Sequence, residues 1–114
     1  MRNVHTAPME LFAQIPNGTY ELEPYEAGWA AEALAMVYVR EAHGEAPALH
    51  LIAQISVDGV RWIDTSYALT IRGTGGYSLP LTHFGNWLRL AGQASGGPAD
   101  GPAFVADFFW VLKS

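Results

Sequence analysis

Along most of the chain apolar and polar residues alternate one for one, in short runs that each close on Gly, Pro, Asn or Asp. A period of two is the spacing at which every other side chain of an extended strand meets a core. Eight such runs occur. Met9, Leu11, Ala13 and Ile15 alternate with Glu10, Phe12 and Gln14, and the run stops at the turn cluster Pro16-Asn17-Gly18. Tyr20 and Leu22 make the second run. Residues 30–42 are ambiguous, because their Ala, Glu, Leu and Met content favours helix whereas Met36-Val37-Tyr38-Val39 favours strand. Strand is assigned over 34–41, since every neighbouring segment is a strand and a lone helix would need a partner face.

In 48–55, Leu49, Leu51, Ala53 and Ile55 share one face while His50, Ile52 and Gln54 share the other, the pattern of a central strand covered on both sides. It leads into Ser56-Val57-Asp58-Gly59-Val60-Arg61-Trp62, where Asp58-Gly59 supplies the positive-φ turn of a hairpin and Trp62 starts the return. Tyr67, Leu69 and Ile71 follow, then a glycine-rich turn at 73–76, then Tyr77, Leu79 and Leu81. Trp87 to Leu90 comes after a turn at Phe84-Gly85. Residues 92–102 hold four Gly and two Pro and read as a long connection. The last run, 103–112, sets Phe104, Phe108, Trp110 and Leu112 against Val105, Phe109 and Val111.

Eight short strands at about ten-residue spacing with turn chemistry between them predict an all-β fold, an antiparallel β-sandwich of jelly-roll-like form. Residues 1–8 lack alternation and read as an extended N-terminal arm, leaving 9–114 as a single sandwich domain.

Composition narrows the function. The 114 residues include no cysteine, which excludes a disulfide framework, a thiolate zinc site and a cysteine nucleophile. Six Lys and Arg against eleven Asp and Glu, a net charge of −5, argue against nucleic acid as a partner. The longest apolar run, 33–39, is too short to span a bilayer, and the N-terminus has no signal-peptide core. Only 15% of residues are charged, where an average chain carries about a quarter, so the surface is expected to be unusually neutral.

Candidate chemistry is sparse. His5, His43, His50 and His83 have no metal-site spacing, and no cofactor is expected. His50, on a covered strand, reads as a hydrogen-bonded interior or interface histidine. Glu21 and Glu23 share a strand face, which reads as solvated rather than as an acid/base pair. None of the five serines sits in a nucleophile elbow, and no enzymatic activity is expected. Of the four tryptophans, Trp110 and Trp62 are assigned to the core, while Trp29 and Trp87 remain as candidates to stack on a ligand such as a sugar. Arg89 and Asp107 interrupt apolar strands and are expected to pair across neighbouring strands. Runs 34–39, 48–55 and 103–112 are apolar on both faces. A two-layer sandwich buries only one face of each sheet, so homo-oligomerisation or a lattice is the economical expectation.

The strand before Gly44-Glu45-Ala46-Pro47, the hairpin Ser56 to Trp62, the stretch Phe84-Gly85-Asn86-Trp87-Leu88-Arg89-Leu90 and the closing Val111-Leu112-Lys113-Ser114 together resemble small β-sandwich structural proteins of tailed phages and prophages. The Ser-x-Asp-Gly-x-x-Trp hairpin also resembles that of discoidin-like and other carbohydrate-binding sandwiches. The first resemblance implies a non-enzymatic virion component, such as a capsid decoration, head–tail or tail-associated subunit. It would be made in the cytoplasm and would contact copies of itself or other assembly proteins. The second implies a glycan-binding module, the alternative reading.

Overall fold

The computed structural model describes residues 3–114, which form nine strands and, among the described residues, no helix. They are β1 Val4–Ile15, β2 Gly18–Glu21, β3 Tyr25–Glu26, β4 Glu32–Ala42, β5 Ala48–Ser56, β6 Ile63–Ile71, β7 Gly75–Thr82, β8 Trp87–Ser95 and β9 Phe104–Lys113. The first sheet has the order β1-β9-β4-β7 and the second β2-β8-β5-β6, with β3 also on β8. Every pairing is antiparallel. Chain-neighbouring strands cross repeatedly between layers, and the fold is a jelly-roll β-sandwich. β2 and β3 lie against opposite ends of β8, so they act as one strand broken near Pro24, which has no N–H for the ladder. Eight alternations thus become nine strands.

The core between the sheets takes Phe104, Phe108, Trp110 and Leu112 from β9, all fully buried, against Leu49, Leu51, Leu88 and Leu90 of the second sheet. The Trp110 indole is accommodated by what flanks it: Ala35 of β4 and Ala7 of β1 are its register partners on either side. Beside it, Ala33 pairs with Leu112. Small residues next to large ones on one face fill the layer without overpacking. This is why a strand here carries the alanine content of a helix.

The strands differ from the sequence reading in several places. The segment expected as an extended arm is the outer half of β1, where Val4 to Pro8 pair with Lys113 to Phe109; residues 1 and 2 of that arm lie outside the described residues. β8 runs on to Ser95, so the connection begins later than Gly92. Gly92 pairs with Tyr20 and Leu51 within the sheet, and a Cβ there would press on Leu51 at 3.0 Å. On β5 the outward residues are only partly covered: His50 is exposed, while Ile52 and Gln54 are half-buried. Finally, Trp62 does not enter the core.

Candidate interaction surface

The outward face of the first sheet carries Leu34, Met36 and Tyr38 from β4 and Phe109 and Val111 from β9, with Thr6 and Pro8 from β1 beside them. Phe109 and Tyr38 meet edge to face, ring centroids 5.9 Å apart. Thr6, Met36, Tyr38, Phe109 and Val111 line a shallow trough of about 230 Å³.

Beside the trough stands a bulge in β1. The register with β9 slips between Pro8 and Glu10 and again between Glu10 and Ala13, which leaves Leu11 and Phe12 with no partner on β9. Phe12 holds a φ of +54°, a conformation that costs a non-glycine residue about 1–2 kcal/mol. Asp107 holds it there. One carboxylate oxygen accepts the Phe12 N–H at 2.8 Å, and the other accepts the Arg40 guanidinium through Nε at 2.9 Å and Nη2 at 2.7 Å. The Arg40 guanidinium carbon in turn lies 3.8 Å from the centre of the Phe12 ring. The Arg40 hydrogen bond, aided by the Phe12 N–H, holds the Asp107 carboxyl below its ordinary value against the effect of burial. The result is a buried carboxylate supporting an apolar knob: Leu11 is 53% exposed and Phe12 61%.

The outward face of the second sheet carries a polar ladder beside a small apolar group, Ile52, Ala68 and Ala91. Gln54 donates to Asp64 at 2.7 Å, Arg89 donates to Gln54 at 2.6 Å, and Arg89 pairs with Glu21 at 2.9 Å, a ladder across β6, β5, β8 and β2. Arg89 also lies over the Trp62 ring, 4.4 Å from its centre. That contact explains why Trp62, expected in the core, sits half-buried on the outer surface. The expected pairing of Arg89 with Asp107 does not occur, because β8 and β9 belong to different sheets. His50 is exposed and bonds Thr70 through Nδ1 at 2.9 Å, rather than lying in an interior. Glu21, at the end of β2, pairs with Arg89, while Glu23, expected on the same strand face, lies beyond the strand.

At the β5–β6 turn, Asp58 accepts the N–H groups of Val60 and Arg61, both at 2.9 Å, and the Arg61 guanidinium at 2.8 Å. These bonds, led by the Arg61 N–H, hold its carboxyl far below the ordinary carboxylate range. Gly59 takes a φ of +78° and lies so close to Trp87 that a Cβ would meet its indole at 3.2 Å. Trp87 is half-buried there, one face given to the hairpin. Trp29 is 44% exposed and meets His5 edge-on at 6.4 Å, while His5 also stacks on Tyr25. Among the described residues no group of three His, Asp or Glu side chains is placed to hold a metal ion.

The feature missed by alternation alone is the Leu11–Phe12 bulge. Its signal was present: Phe12 is a large aromatic in the polar phase of its run.

No family model and no curated protein matches this chain. Solved structures do share its fold. The PBSX exported protein XepA superposes with a TM-score of 0.60 at 8% identity, over 98% of this chain but only 36% of XepA. The SPBc2 prophage-derived protein YomS gives 0.56 at 9% identity, over 100% of this chain and 96% of YomS. A CBM4 structure gives 0.52 at 11% identity, over 97% of this chain and 71% of that one.

Proposed function

We propose that the chain is a non-enzymatic structural subunit of a phage or phage-like assembly, a capsid decoration, head–tail or tail-associated protein, that self-associates through the outward face of its first sheet. The observation that carries this reading is that face itself. Its central strand β9 turns Val105, Phe109 and Val111 outward beside the paired Asp107, and a large ring is held in solvent there at a cost in backbone strain. Contiguous apolar surface of this kind marks an interface rather than a solvated exterior. The fold shared with a prophage-derived protein is consistent with that role. The polar groups of the second sheet support a structural part too, since they are spent on one another in the ladder from Asp64 to Glu21.

A glycan-binding module is the competing reading, favoured by the open cluster of Trp29, His5 and Tyr25. Light scattering of the purified chain, with negative-stain images of what elutes, separates the two. The structural reading expects a defined oligomer, ring, tube or shell, and no glycan-array binding that Trp29→Ala or Trp87→Ala abolishes. A monomer at 100 µM that binds a glycan through either ring would replace it.

A further inference from the structure

The knob and the trough lie on the same face, and we propose that they are two halves of one contact: the outward faces of two copies pack together across a two-fold axis, each Phe12 ring seated in the other copy's trough. This rests on the self-association reading above and specifies its geometry.

Shape is the first argument. Phe12 projects beside Asp107, whereas the trough centres on Phe109 and Val111, about 10 Å away along β9 at the rise of a strand. A two-fold axis lying in the contact plane between the two copies, and crossing the strands between Asp107 and Val111, brings each knob over the facing trough. Such an interface is isologous: one patch, carrying both features, complements itself and closes at two copies. A trough of about 230 Å³ has room for a single aromatic side chain.

Charge is the second. The chain carries a net −5, yet the outward residues of β4 and β9 contribute only −1 of it, Arg40 and Lys113 against Glu32, Glu41 and Asp107. Arg40 and Asp107 are already an ion pair, and Glu32 and Lys113 are register partners. Two copies therefore meet on this face with little of the repulsion their net charges impose elsewhere. Area is the third. Four strands over eight paired residues span about 500 Å² per copy, which reaches the ~1,000 Å² total of a specific interface.

The cysteine-free chain makes the test direct. Phe12→Cys protein is mixed with Met36→Cys protein under mild oxidation, and dimer dissociation is measured by light scattering for wild type, Phe12→Ser and Met36→Glu. Val60→Ser, in the exposed β5–β6 turn, is the control, and near-UV circular dichroism confirms the fold of each. The expected results are a disulfide-linked mixed dimer, and association at least tenfold weaker in Phe12→Ser and Met36→Glu but unchanged in Val60→Ser. An oligomeric wild type whose association survives both substitutions, with no mixed disulfide, would overturn this interface while leaving the assembly reading in place. A wild type monomeric at 100 µM would overturn both.

Discussion

Asp107 is the residue on which the outer face turns. A carboxylate on the outside of a central strand would ordinarily be a solvated group. Here it is 6% exposed, with the Phe12 N–H and the Arg40 guanidinium bonded to its two oxygens. Since its folded pKa lies below the ordinary 3.8, its contribution to stability is complete above that value and is lost as the pH falls through it toward the folded one. Asp107→Ala should therefore cost about 1–2 kcal/mol at neutral pH, in the lower part of the range for a charged hydrogen bond because Arg40 is half in solvent. Urea melts at pH 7 and pH 3 check this: the difference between variant and wild type should shrink at the lower pH. The sequence showed Asp107 as an interruption in an apolar strand, but its partner was misassigned to Arg89. Nothing in a linear order says which of two cations shares a sheet with it.

Among the elements, the connections show how tightly backbone approaches backbone. Gly44 and Gly96 both adopt positive φ, +108° and +75°. A Cβ on Gly44 would overlap the Gly96 carbonyl, and one on Gly96 would overlap the Ala46 carbonyl. The β4–β5 and β8–β9 connections are thus locked at one end of the sandwich. Asn17 fastens the β1–β2 turn to the same place, accepting the Gly97 N–H at 2.9 Å and donating to the Gly97 carbonyl at 3.1 Å. Gly96→Ala is expected to destabilise by at least about 2 kcal/mol, combining the left-handed backbone cost with overpacking. Gly73→Ala, with open space around it, serves as the comparison and should change the melting temperature little. The glycines at 96, 97 and 101 were legible as a connection, but not as a clasp, since contact between two loops depends on where four strands end.

For the whole molecule the question is what covers the first sheet. An interface built from Met36, Tyr38, Phe109, Val111 and Phe12 is driven by removing apolar surface from water. Self-association should accordingly be nearly unchanged between 0.05 and 0.5 M sodium chloride and should strengthen in ammonium sulfate. Sedimentation measured across both salts checks this, and steep weakening in sodium chloride would point instead to a charge-driven contact. The second sheet has a smaller apolar group outward, Ile52, Ala68 and Ala91, beside polar residues bonded to each other, so a cover would gain less there.

The alternation of residues by itself determined that the chain is a β-sandwich, because a period of two can bury one side only in an extended strand. It also determined the positive-φ turn at Asp58-Gly59, since turn chemistry is local, although the connection runs over 57–62 and the return strand starts at Ile63 rather than Trp62, so the hairpin is not a tight one. It marked β9 as apolar on both sides. The tertiary structure decided the rest: that Trp62 lies under Arg89 outside the core, that 4–8 are paired strand rather than arm, and that Phe12 is propped outward on Asp107. Each depends on which strands are neighbours across a sheet. Strand order follows from the packing of the whole chain, and the linear pattern holds no term for it.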